Sequence, residues 1–257
     1  MMDKITVVIF THNEEVNIGE AITSSFNLTH EVIVVDMQST DKTAFIAKKL
    51  KTKVVTFPHL FYVEPAREFG IKQSSTDWVF ILDADERITK KLANEIKIQI
   101  ANHQSPITYF KVPRKNIFAG RTWLRHGGWW PDSQMRLINK KYFVSWPNRI
   151  HATPIINGEL GFLNNPIEHL FHGDINTMVK KTAIFEDIES DLLYEAGRSA
   201  STSTFFRKYL AELWRRMFKK FGFLDGSIGI IESIYQAFSK TITYLFLYEK
   251  NNESRSL

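Results

Sequence analysis

The sequence predicts an α/β fold, a mostly parallel sheet flanked by helices, with a helical extension toward the C-terminus. Three observations carry this expectation. Apolar, β-branched runs recur at residues 4–10, 31–35, 54–57 and 77–82; stretches with helical apolar spacing separate them; and helical patterning fills the chain after residue 172. Runs of Val and Ile that do not alternate with polar residues belong to strands buried on both faces. Strands alternating with helices at this spacing build βαβ units and a parallel sheet.

The first run, KITVVIF, ends at the polar Thr11-His12-Asn13. Val16, Ile18, Ile22 and Phe26 then recur at helical spacing over residues 14–26. The second run, EVIVV, ends at Asp36, and Ser39-Thr40-Asp41 supplies an N-cap for a helix through Leu50. A short third strand at 54–57 and a helix over 65–74 lead to the fourth strand, DWVFIL, at 77–82. From Ile107 the pattern changes. Shorter strands at 108–112, 134–138 and 142–145 lie between loops rich in Trp, Gly, Pro and Arg. With no internal repeat or low-complexity linker, the expected organisation is one domain over 1–173, changing character after residue 106, and a helical extension over 174–257.

Composition narrows the classes. A chain of 257 residues, 44% apolar and 24% charged, is long enough for a full core plus an appendage. The absence of cysteine excludes a disulfide framework, a thiolate zinc site and a cysteine nucleophile, and fits a reducing cytoplasm. The first apolar run is too short for a secretory signal. No stretch reaches the roughly 18 apolar residues that a membrane span needs. The formal net charge of +5 is locally concentrated: residues 205–221 hold six Lys or Arg and one Glu. Such a patch fits an anionic partner, whether membrane surface, nucleic acid or phosphorylated substrate.

In parallel α/β sheets the ligand sits beyond the carboxyl ends of the strands. Those ends here are residues 11–15, Asp36 and residues 83–86, all polar or acidic. In Asp83-Ala84-Asp85 two carboxylates two residues apart on a turn can face one side and ligate a hard divalent cation, Mg²⁺ or Mn²⁺. Such a cation bridges a diphosphate and neutralises the charge that develops as it departs. A D-x-D tripeptide is also a common solvated turn. The buried strand before it and the neighbouring acidic strand ends favour the site.

Three segments in order, VIFTHNEE at 8–15, VVDMQSTDKT at 34–43 and DWVFILDADER at 77–87, resemble the family 2 glycosyltransferases. The likeness is greatest to the small bacterial members that include the lipopolysaccharide-core β-1,4-glucosyltransferases. It implies the GT-A fold, with residues 1–106 as the nucleotide-sugar-binding half and 107–173 as the acceptor half. It also implies that Thr11, Asn13 and Glu14 cradle the nucleoside, that Asp36 contacts base or ribose, and that Arg67 approaches the nucleotide. Arg67 lies in an A-R-E-F-G segment, where Glu68 replaces the family's usual Asn. Asp83 and Asp85 match the motif that holds the metal and the sugar diphosphate. The structural alternatives are that Asn13 shapes a turn, Asp36 caps a strand end, and Arg67 pairs at the surface with Glu64 or Glu68.

Inverting transfer, which the resemblance implies, needs a base opposite the leaving group. The segment GGWWPDSQMR at 127–136 offers two Trp faces for sugar C–H groups and the carboxylate of Asp132. Relatives carry a similar aromatic-Pro-Asp…Arg-Leu segment. Asp132 is the expected base; its alternative role is to cap the following strand. In NRIHA at 148–152 relatives commonly have His-Glu, whereas this chain has Ala152, leaving His151 to act as a base, bind phosphate or pack. His169 matches the family histidine that completes the metal or diphosphate site. Zinc on His169 and His172 lacks further clustered ligands.

On a helical wheel of residues 205–221, Phe206, Tyr209, Leu210, Leu213, Trp214, Met217 and Phe221 share one face, opposite Lys208, Arg215, Arg216, Lys219 and Lys220. This is the pattern of a helix lying in a membrane interface; the alternative is packing on the α/β domain. No nucleic-acid recognition motif accompanies the charge. The expectation is an inverting transferase moving a hexose from a nucleotide-sugar, with uridine as the expected nucleotide. A divalent cation assists, and the acceptor is a lipopolysaccharide, capsule or other surface glycan at the cytoplasmic face of the inner membrane. The alternatives are a catalytically silent sugar-nucleotide-binding or membrane scaffold, and a nucleotidyltransferase, which would carry a glycine-rich basic loop after the first strand.

Overall fold

The computed structural model describes residues 5–60, 62–102, 106–150, 152–171 and 175–253. Contacts divide the chain into two compact units, Met1–Lys115 with Asp132–His169, and Asn116–Pro131 with Leu170–Leu257.

The first unit begins as the apolar runs require, with β1 (Ile5–Thr11), α1 (Ile18–Ser25), β2 (Val32–Asp36), α2 (Thr43–Lys49), β3 (Lys53–Thr56), α3 (Glu64–Lys72) and β4 (Trp78–Asp83). After the Ala84-Asp85 turn come β5 (Glu86–Ile88), α4 (Lys90–Ala101), β6 (Ile107–Phe118), β7 (Thr122–Trp123, in the second unit) and β8 (Asp132–Asn139). The two-stranded pair β9 (Phe143–Ser145) and β10 (Ile155–Ile156) follows, then β11 (Glu159–Phe162) and β12 (Ile167–Phe171). The main sheet runs β3-β2-β1-β4-β8-β6-β12-β5, with β11 beside β6. Its first four strands are parallel, whereas β8 is antiparallel to both β4 and β6.

Every residue of β1 and β2 is buried, which explains why those runs do not alternate. Val7, Ile9, Phe80 and Leu82 pack on one face with Ile18, Ile22, Leu92 and Ile96. Val8, Phe10, Val35 and Ile81 pack on the other with Ala66 and Ile71. Helix α3 lies so close to β1 that a Cβ at Gly70 would come within 2.6 Å of the Phe10 ring. That approach carries Arg67, one turn earlier, to 4.7 Å from the same ring.

Several expectations change. The Ser39-Thr40-Asp41 cap is displaced: Lys42 occupies the N-cap of α2 without a side-chain bond. Asp41 instead accepts the backbone N–H groups of Thr43 and Glu15 at 2.9 and 3.0 Å and ties two loops together. The strand expected at 108–112 continues through Pro113 to Phe118 as β6. The strands of two to five residues β5, β7, β10, β11 and β12 are too short for periodicity to reveal.

The second unit holds the β6–β7 pairing of Ile117 with Trp123 and Phe118 with Thr122. It also holds α5 (Ile175–Glu195), α6 (Thr202–Trp214), a π-helical turn at Arg215–Lys219 and α7 (Gly226–Glu253). Asp225 accepts the backbone N–H groups of Arg125 and His126, both at 2.8 Å, and the His126 Nδ1–H at 2.7 Å. Thr182 and Tyr235 join α5 to α7 through their hydroxyls at 2.7 Å. The apolar wheel expected for 205–221 divides in two. Tyr209, Leu213 and Met217 are half-buried, whereas Phe206, Leu210, Trp214, Phe218 and Phe221 form an outward stripe, with Trp214 64% exposed. No helix among the described residues is long and apolar enough to cross a membrane.

Candidate active site

Strand register brings the expected donor-side residues to one level. Thr11 lies opposite Asp36 and Phe10 opposite Asp83, so β1, β2 and β4 end side by side. Asp36 is buried and accepts the Ser39 N–H at 3.2 Å. Asn13 adopts a left-handed backbone (φ 52°), which Asn tolerates better than most residues. Its N–H donates to Ser39 Oγ at 2.9 Å and its Oδ1 accepts the Thr40 N–H at 2.7 Å. Glu14 fixes the same loop: its N–H donates to Thr43 Oγ1 at 2.8 Å and its carboxylate accepts Asn17 Nδ2–H at 2.7 Å. Asn13 and Glu14 therefore shape the crevice wall. Thr11 Oγ1, by contrast, is buried with no hydrogen-bond partner.

Asp83 anchors the floor. Its two carboxylate oxygens receive Arg67 and Arg136, each at 2.7 Å. Its N–H donates to Glu86 Oε2 at 3.0 Å. Glu86 is fully buried and accepts Arg136 on Oε1 at 2.5 Å. Burial alone would raise the Asp83 carboxyl, but the charges of Arg136 and Arg67 outweigh it and hold the group well below the usual carboxylate range. Burial likewise pulls the Arg136 guanidinium down, and Asp83 and Glu86 more than reverse that. Arg67 is buried rather than paired at the surface with Glu64 or Glu68. Its NH1 and the Nε of Arg136 have no hydrogen-bond acceptor. Leaving such a donor buried and unmet costs about 1–3 kcal/mol. Glu68 accepts the Trp146 N–H at 3.0 Å and Lys72 at 2.5 Å. Glu68 thus holds the Trp146 backbone.

Asp85, on the turn after β4, faces His169 of β12, with Nε2 to Oδ2 at 3.5 Å. No group of three or more His, Asp or Glu side chains is placed to hold a metal among the described residues. Asp132 opens β8 opposite Arg114 of β6 and accepts that guanidinium at 2.5 and 2.8 Å. Arg114 NH1 also lies 3.7 Å from Glu86. One chain of alternating charges therefore joins Asp132, Arg114, Glu86, Arg136, Asp83 and Arg67. Trp129 packs on Phe171 at 4.8 Å and Trp130 edge-on to Trp123 at 5.3 Å. His151 and His172 lie outside the described residues.

A family model, Glycosyl transferase family 2, matches residues 6–159. The chain belongs to glycosyl transferase family 2. The uncharacterized glycosyltransferase RC0292 of Rickettsia conorii is 31% identical over 268 residues, covering 100% of this chain and 94% of its own. The lipopolysaccharide core biosynthesis glycosyltransferase LpsC of Rhizobium meliloti is 24% identical over 273 residues, covering 96% and 93%. Among solved structures, residues 1–349 of S. aureus TarS in complex with UDP-GlcNAc are 17% identical, with a TM-score of 0.51 over 99% of this chain and 92% of that one. The fold is the GT-A fold that TarS shares.

In this glycosyltransferase three members of the charge chain carried no assigned role in the sequence. Glu86 directly follows the Asp-Ala-Asp turn, and Arg136 interrupts a buried strand next to Leu137 and Ile138. A charge within an apolar run was the signal for Arg136. Arg114 had no such signal, because only the β6–β8 register brings it to Asp132.

Proposed function

We propose that this family 2 glycosyltransferase transfers a hexose, with inversion, from a UDP-sugar to a lipopolysaccharide or related surface-glycan acceptor. The observation that carries the reading is the strand-end crevice. Thr11 and Asp36 stand in register at the ends of β1 and β2, Asp83 ends β4 opposite Phe10, and two guanidinium groups are fixed on Asp83. TarS, of the same fold, was solved with UDP-GlcNAc, and the name of LpsC supplies the acceptor class.

In this reading the nucleoside lies along Thr11, Asn13, Glu14 and Asp36, and Arg67 and Arg136 face the diphosphate side. The Asp85 carboxylate and the His169 imidazole would hold a divalent cation such as Mn²⁺ or Mg²⁺. Asp83, held by Arg67 and Arg136, orients the site beside Asp85. A cation bound there would neutralise charge on the departing diphosphate. The acceptor hydroxyl oxygen forms a bond to the anomeric carbon while the bond from that carbon to the diphosphate oxygen breaks. The electron pair leaves with the nucleoside diphosphate, and the hydroxyl proton passes to Asp132, the assigned base.

Residues 1–106 form the donor half and 107–173 the acceptor half, and the extension over 174–257 serves attachment. The outward stripe of Phe206, Leu210, Trp214, Phe218 and Phe221, with Arg207, Lys219 and Lys220 among its neighbours, supports docking on an anionic membrane surface at the cytoplasmic face. Turnover tests the reading: UDP-, GDP- and dTDP-hexoses are incubated with the protein and Mn²⁺, and release of nucleoside diphosphate is followed. Metal-dependent release from a UDP-hexose, lost in Asp85→Ala, is expected. Binding without any release would favour a silent sugar-nucleotide-binding protein, and no binding at all would end the transferase reading.

A further inference from the structure

Arg114 is the link in the charge chain that touches two carboxylates at once. It donates to Asp132 Oδ2 from Nε at 2.8 Å and from NH2 at 2.5 Å, while its NH1 lies 3.7 Å from Glu86 Oε1. Gln134 Nε2 donates to the other Asp132 oxygen at 2.7 Å. Glu86 is itself fixed: it is fully buried, accepts the Asp83 N–H on Oε2 and receives Arg136 on Oε1. Arg114 from β6 and Gln134 from β8 face Asp132, with Glu86 of β5 and Arg136 of β8 standing behind Arg114.

A planar guanidinium suits this place because its fork can serve two acceptors in fixed directions, which an ammonium on a flexible stem cannot. Two charge-assisted bonds to one carboxylate fix its rotamer and favour its ionised form. We infer that Arg114 is a positioning residue for the transfer, holding Asp132 in one orientation while Glu86 ties that arrangement to the backbone of Asp83. The donor-side acid and the acceptor-side base are then set by one buried carboxylate. This inference rests on Asp132 as the base that takes the acceptor proton.

The test compares wild type with Arg114→Gln, Arg114→Lys, Asp132→Asn and the Asp132→Asn/Arg114→Gln double variant. Hydrolysis of UDP-glucose and UDP-N-acetylglucosamine with Mn²⁺ is measured from pH 3 to 9, alongside thermal melts. Removing the cation raises the proton affinity of Asp132, so the acidic limb of the rate profile should move up by about one to three pH units in Arg114→Gln. kcat should fall about 10- to 100-fold with donor KM little changed. Arg114→Lys should restore the limb but not the full kcat. In the Asp132→Asn background, Arg114→Gln should cost nothing further, since each acts through the other. A limb that stays in place, or additive losses in the double variant, would overturn the inference. A carboxyl ¹³C titration of Asp132 without substrate gives an independent decision: its midpoint should rise in Arg114→Gln, and an unchanged midpoint rejects the coupling. Absence of turnover by wild type would count against the transferase reading, and the titration would still decide the role of Arg114.

Discussion

Asp83 is held from two elements, by Arg67 of α3 and Arg136 of β8, each at 2.7 Å. Arg136 is shared with Glu86, so its loss leaves Asp83 with Arg67 alone and Glu86 with the more distant Arg114 at 3.7 Å. Arg136→Ala should lower unfolding free energy by about 3–5 kcal/mol, because it strands a buried carboxylate. Urea denaturation of the full chain measures this, and a loss under about 1 kcal/mol would show that Arg114 takes over the Glu86 charge. Asp85→Asn, on a partly exposed turn, should by contrast change stability by about 0.5 kcal/mol or less while removing cation-dependent turnover. Asp36 and Asp83 were legible in the sequence because each closes an apolar run on its own strand. The basic partners were not, because Arg136 lies 53 residues from Asp83 and 50 from Glu86, and only the β4–β8 neighbourhood joins them. Arg67 stood in a recognisable segment, yet its burial depends on the close approach at Gly70.

Helix α7 carries a buried acid outside the crevice. Burial pushes the Glu232 carboxyl up to about 7, against the opposing influence of Gln236 and Arg216. With a folded value above the unfolded value of about 4.3, the contribution of Glu232 to stability is complete below that lower value and is lost as pH rises toward 7. Glu232→Gln should therefore gain melting temperature relative to wild type at pH 8 and show little gain at pH 4.5; an equal gain at both would reject the assignment. On α6, replacing Trp214 and Phe218 by Ser should leave the melt within about 1 °C, since both side chains are at least half exposed. It should reduce sedimentation with anionic phosphatidylglycerol vesicles at least about tenfold; unchanged sedimentation would remove the membrane reading. The wheel found the amphipathic character of this segment but merged two apolar stripes, one half-buried and one outward. Their separation depends on which neighbours cover the helix, and periodicity does not encode that. The central strands were legible for the opposite reason: burial on both faces leaves an uninterrupted run.

At the scale of the molecule, the four parallel strands β3-β2-β1-β4 make a crevice whose chemistry is set by their carboxyl ends. Strand β8, antiparallel beside β4, delivers Arg136 and Asp132 to the same network. Membership of family 2 was visible from the three segments at 8–15, 34–43 and 77–87, which all lie in the parallel half. The antiparallel half was less legible because its strands are short and its pairings, such as β12 with β5, join residues far apart in sequence. The central claim is that the strand-end crevice binds a nucleotide-sugar with the help of a divalent cation. Calorimetric titration of UDP-glucose and UDP-N-acetylglucosamine into wild type and Asp36→Ala, each with Mn²⁺ and with EDTA, tests it most directly. Wild type with Mn²⁺ should bind, and both the removal of Mn²⁺ and Asp36→Ala should weaken binding by about tenfold or more, a change of about 1.4 kcal/mol. Binding indifferent to both, or no binding of either sugar nucleotide by wild type, would contradict it.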